Sequence, residues 1–170
     1  MEQLDAIIAE ATTAIPEPYF LLPVNGGDAR YRERVYCYEL YHQMRRIWPE
    51  DANPYWLGGE IDKAGHPVMT ELAGAVKPDF LVHVPGAMDN FAIIEVKPQR
   101  ASTRGIKKDL TTLANFVTHG QYHRAIYLIY GYQAEVTAAR LQHILAATSD
   151  LPPIEIWVHR NPGTPAERIS

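Results

Sequence analysis

One cysteine, Cys37, stands among 170 residues. That excludes an intramolecular disulfide and any zinc site built from several thiolates. Positive charge is not in surplus: 16 Lys and Arg face 20 Asp and Glu, a formal net charge of −4. A protein uniformly coated in basic residues is thereby excluded, whereas a local basic patch is not. No apolar run approaches the roughly 18 residues of a membrane span. The first ten residues carry Glu2, Asp5 and Glu10 where a secretory leader carries bases. The expected location is therefore cytoplasmic, with no membrane partner. Glycine-rich phosphate loops of the GxGxxG or GxxxxGK kind are missing, which disfavours a nucleotide-binding domain. Internal repeats, low-complexity tracts and linkers are missing too.

What the chain has is enough apolar material for a core. Hydrophobic residues make up 46% and charged residues 21%, the balance of a globular protein, and 170 residues suit one domain. Residues 2–14 predict a short helix stopped by Pro16 and Pro18. Residues 25–28, Asn-Gly-Gly-Asp, predict a turn, with Asp28 as the cap of the next element. Cys37, Leu40, Tyr41, Met44 and Trp48 recur at helical spacing and predict a helix over 30–48, ended by Pro49. Strands are predicted at 55–61, 77–84 and 90–97, the last two forming a hairpin through Pro85 and Gly86. Residues 103–117 read as a helix. The continuous apolar run 124–130 reads as a strand buried on both faces. A helix over 133–147 and a strand over 154–158 come next, and the Pro- and Gly-containing stretch 160–170 is expected to be a flexible tail. The expected architecture is a single α/β domain with a central mixed β-sheet flanked by helices.

The hairpin carries the chemistry. A five-residue loop (85–89) sets residue 84 opposite 90, and the same register sets Asp79 opposite Glu95, their Cβ atoms roughly 4.5–5.5 Å apart. Lys97 shares the face of Glu95 by strand alternation. Facing carboxylates repel unless a cation lies between them. With only oxygen donors to hand, magnesium or manganese suits the site better than zinc. Such an ion would make its bound water a strong nucleophile, which Lys97 could contact together with a phosphate. Downstream, residues 97–108 hold Lys97, Arg100, Arg104, Lys107 and Lys108 and no acid. A cationic run of this kind is what phosphate contacts require, and Ser102 or Thr103 is placed to cap the helix it enters.

Pro78-Asp79, a spacer of 15 residues, and Glu95-Val96-Lys97 resemble the PD-(D/E)XK motif of restriction-endonuclease-like nucleases. The predicted helix, three strands, helix and fourth strand, over about residues 30–131, are similar to that superfamily's core. The resemblance implies a metal held by Asp79, Glu95 and the Val96 backbone carbonyl, with Lys97 beside the attacking water. It implies a further acid from the preceding helix, for which Glu39 is the match and Glu60 a rival, and a polar helper at Gln99. The implied activity is Mg²⁺- or Mn²⁺-dependent hydrolysis of DNA, with Arg100, Arg104, Lys107 and Lys108 on phosphates. With no spare domain to read sequence, specificity would come from a homodimer or from a larger complex, and restriction, antiviral defence or mobile-element roles are implied by resemblance. The alternative is an inactive member of the fold serving as a scaffold or adaptor.

Plainer readings stand beside these. Asp79 is also explained as a solvated strand end, and Glu95 with Lys97 as a same-face ion pair, although a charge inside the apolar run 91–94 and beyond is costly unless paired. A solvated helix face accounts for Glu39 as well as metal binding does. His119 and His123 read as structural, because Gly120 breaks the helix between them. Tyr31, Tyr36, Tyr38 and Tyr41 read as packing, and Glu33 among Arg30, Arg32 and Arg34 reads as an ordinary charged face.

Overall fold

The computed structural model describes residues 2–50, 54–59 and 77–170. The chain opens with α1 (Glu2–Thr13) and a single turn, α2 (Glu17–Phe20), whose start is fixed by Pro16 and by Pro18 in its first turn. A small hairpin comes next, β1 (Leu22–Val24) with β2 (Gly27–Arg30). It leads to α3 (Glu33–Arg46), β3 (Trp56–Gly59), β4 (Phe80–His83), β5 (Asn90–Pro98) and α4 (Thr103–Thr118). The chain closes with β6 (Arg124–Tyr130), α5 (Ala134–Ala146), β7 (Glu155–His159) and β8 (Glu167–Arg168).

Six strands form one mixed sheet in the order β3-β4-β5-β6-β7-β8. β3, β4 and β5 are an antiparallel meander, while β5, β6 and β7 run parallel and are linked by the crossover helices α4 and α5. Strand alternation sends Val82, Ile94, Val96, Ile126 and Leu128 to one face, where they pack with α1, α2 and α3. It sends Leu81, Ile93, Tyr127, Ile129 and Val158 to the other, beneath α4 and α5. The result is the expected α/β domain: a central mixed sheet between two helical layers. No helix among the described residues is long and apolar enough to cross a membrane.

The hairpin register matches expectation where it matters: Phe80 lies opposite Ile94, Leu81 opposite Ile93 and Val82 opposite Ala92. A bulge at Val82/His83 shifts the loop end, so His83 faces Asn90, and the Val84 N–H closes the turn on the Asp89 carbonyl at 2.9 Å. Other details differ from the sequence reading. Residues 22–30 are a hairpin rather than a capping turn; Asp28 lies within β2, and the residue flanking α3 is Arg32, whose side chain makes no cap bond. Glu60 and the rest of the strand expected beyond Gly59 lie outside the described residues.

The stretch expected to be a flexible tail instead adds β8 to the sheet edge. Pro and Gly there punctuate a turn, after which Ala166 is buried and its N–H donates to Thr12 Oγ1 at 2.8 Å. The predicted packing role of Tyr36 holds: it is fully buried, stacks on Tyr130 at 3.8 Å between ring centroids, and hydrogen-bonds to His159 Nδ1 at 2.8 Å. Burial pushes the His159 imidazole down to about 4, so the ring is neutral in the core.

Candidate active site

β5 enters the sheet apolar and leaves it charged. Ala92, Ile93 and Ile94 are fully buried, then Glu95 and Lys97 project from the α4 side of the strand near its end. Asp79 sits just before β4, next to this point. Its Oδ2 accepts the Val96 N–H at 2.8 Å, a backbone bond that pins the carboxyl against β5. The two strands thus bring Asp79, Glu95, Val96 and Lys97 together. Glu95 is only 5% exposed.

Two further acids complete the cluster. Glu33, in the first turn of α3, accepts a hydrogen bond from Lys97 Nζ at 3.0 Å, while Glu95 Oε2 is 3.6 Å from that ammonium and Asp109 Oδ2, from α4, 3.8 Å. Asp109 is itself oriented by Tyr127, whose hydroxyl donates to Asp109 Oδ2 at 3.2 Å. Burial works against the charge on Lys97, yet the carboxylates of Glu95, Asp79, Asp109 and Glu33 outweigh it and raise its pKa above the ordinary lysine value. Lys97 is therefore a fixed cation. Burial, and after it repulsion from Asp79, raises the Glu95 carboxyl well above the usual range. Burial likewise lifts Asp79 to about 6, against the lowering influence of Lys97 and the Val96 N–H.

The helix acid is where sequence and structure part. Glu39 points along α3 to its own neighbour: its Oε1 accepts the Gln43 Nε2 at 2.6 Å. The residue that α3 delivers to the cluster is Glu33, six positions earlier. Glu33, Cys37, Leu40 and Met44 form one stripe at 4-3-4 spacing, so the acid heads the buried stripe and overhangs the strand end. That placement was the available signal, obscured by the alternating arginines around it. Asp109 had its own signal: it falls between Ile106 and Leu110 on the buried face of α4, where an acid needs a partner.

Gln99 is committed elsewhere. Its Oε1 accepts the Gln133 N–H, its carbonyl accepts the Thr137 hydroxyl, and its side chain covers Gly131, where a Cβ would come within 2.7 Å of it. It fastens β5 to the start of α5. Arg100, Arg104, Lys107 and Lys108 are exposed, as phosphate-contacting side chains must be. Ser102 caps α4, accepting the Gly105 N–H at 3.1 Å.

The donor set fits a hard divalent ion. Asp79 and Glu95 offer carboxylate oxygens only, and Mg²⁺ is commonly held by one or two carboxylates plus water rather than by an all-protein cage. No group of three or more His, Cys, Asp or Glu among the described residues forms such a cage. Burial is the main cause of the upward push on both carboxyls, with repulsion from Asp79 adding to it at Glu95, and a dication between them would favour their charged forms. No protein-family model matches the chain, and neither a curated protein nor a solved structure does.

Proposed function

We propose that the protein is a metal-dependent nuclease that hydrolyses phosphodiester bonds of DNA. One observation carries this reading: a half-buried carboxyl, Asp79, and a buried one, Glu95, meet at adjacent strands beside a lysine whose pKa the surrounding carboxylates raise. The order α3, β3, β4, β5, α4, β6 supports it, since it matches the arrangement that the PD-(D/E)XK resemblance implies.

Asp79 and Glu95, with the Val96 carbonyl, would hold Mg²⁺ or Mn²⁺. When bound, such an ion would supply Lewis acidity. Lys97, its pKa raised by the surrounding carboxylates, would serve as a cation. It donates hydrogen bonds, orienting the water and countering the negative charge that gathers on the phosphoryl oxygens as the P–O bond breaks. Glu33 and Asp109 hold the ammonium in place from the two helical layers. Arg100, Arg104, Lys107 and Lys108 steer and seat the backbone by charge. A role in restriction, antiviral defence or mobile elements, as a homodimer or within a larger complex, belongs to this same proposal.

The test is nicking of supercoiled plasmid with Mg²⁺ or Mn²⁺ and with EDTA. Metal-dependent nicking is expected, falling at least about a hundredfold in Asp79→Asn and Lys97→Met proteins that retain native circular dichroism. Absence of metal-dependent cleavage of plasmid and linear DNA by the wild-type protein would overturn the reading in favour of an adaptor with this fold.

A further inference from the structure

Eleven of the 16 cations of this acidic chain fall into two groups. Arg45, Lys97, Arg124, Arg160 and Arg168 all form ion pairs. Arg30, Arg32, Arg100, Arg104, Lys107 and Lys108 are exposed and form no ion pair with a described residue. These six lie on three segments that converge at the Lys97 end of β5: the exit of β2, the turn after β5 and the first two turns of α4. Unpaired arginines gathered at one end of a net-negative molecule make a local positive field there.

Two of them share a cleft of about 350 Å³. It is lined by Asp28, Ala29 and Arg30 of β2, by Tyr31, and by Pro98 and Arg100 at the end of β5. Pro98 directly succeeds Lys97, which places the cleft at the carboxyl end of β5. The β1–β2 hairpin forms a sheet of its own, and β2 is exposed along its whole length. Core packing therefore does not explain β2, whereas it lines the cleft together with Arg100. Guanidinium groups are the side chains best suited to grip phosphate by paired hydrogen bonds.

We propose that this cleft is a backbone-phosphate subsite, in which Arg30 and Arg100 hold the strand of a nucleic acid next to the bond facing Lys97. The hairpin then forms one side of that subsite. Asp28, in the same cleft, opposes the ligand's charge and limits its affinity. The proposal rests on the nuclease reading for the identity of the ligand, but its test is of binding alone.

Fluorescence anisotropy of a fluorescein-labelled 20-nucleotide DNA, single-stranded and duplex, is measured in EDTA over a range of salt concentrations. Arg30→Ala and Arg100→Ala are each expected to weaken binding about 3- to 10-fold near 0.1 M salt. The double variant should lower the slope of log K against log salt by roughly 1.4 to 1.8, the value for two lost phosphate contacts. Asp28→Asn should tighten binding about 2- to 3-fold, and Arg45→Ala, at the remote Glu50 ion pair, should leave it unchanged. Wild-type affinity and slope in the double variant would overturn the subsite, as would a wild-type protein that binds neither DNA. Binding that shows the Arg30 and Arg100 pattern without any metal-dependent cleavage would keep the subsite and remove the nuclease reading. Cleavage with unchanged binding in the variants would do the reverse.

Discussion

Asp79 and Glu95 are costly residues to place together, and their cost has a pH signature. A carboxyl whose pKa is higher in the folded chain than in the unfolded one binds more protons when folded, so stability falls as pH rises between the two values. For Asp79 the window runs from the ordinary 3.8 to about 6. Asparagine at this position resembles the protonated acid and still accepts the Val96 N–H. In EDTA the Asp79→Asn protein should therefore melt higher than wild type at pH 8, by the equivalent of about 1–3 kcal/mol. The gain should shrink towards zero near pH 4, while metal-dependent cleavage is lost throughout. Thermal melts across that range check it, and a variant less stable than wild type at pH 8 would contradict it.

At the scale of elements, α3 decides which acid reaches the site. With 3.6 residues per turn, Glu39 lies about 120° around the helix from Glu33. Only Glu33 lies on the stripe that packs on the sheet, and it meets Lys97 at 3.0 Å. Glu33→Gln should reduce cleavage tenfold or more by loosening the ammonium, whereas Glu39→Ala should change activity less than twofold and stability by under about 0.5 kcal/mol. Rate measurements on the two purified variants separate them, and the opposite ranking would restore Glu39 to the site. The strands were the most legible part of the chain. Proline and glycine fix the β4–β5 hairpin, and a two-residue period then sets which side chains face each other, so Asp79, Glu95 and Lys97 could be read as one group. The helix contribution was not legible in the same way, because Glu33 in an Arg-Tyr-Arg-Glu-Arg context looks solvated until the start of the helix is placed. The β1–β2 hairpin was hidden for a related reason: its exposed strands carry no apolar alternation.

Over the whole molecule, the parallel strands β5, β6 and β7 all end on one side, and open α/β sheets place their sites at the carboxyl ends of such strands. Lys97, the start of α4 and the unpaired arginines occupy that end. The sheet, its two helical layers and the acid pair form a consistent unit in which burial raises the carboxyls, and the proposed metal would balance their charge. The measurement closest to this claim is anomalous diffraction at the manganese edge from crystals grown with Mn²⁺. A single peak is expected between the carboxylates of Asp79 and Glu95, and it should vanish in Glu95→Gln crystals. Crystals with no peak there, and with Lys97 Nζ still held between Glu33, Glu95 and Asp109, would contradict it.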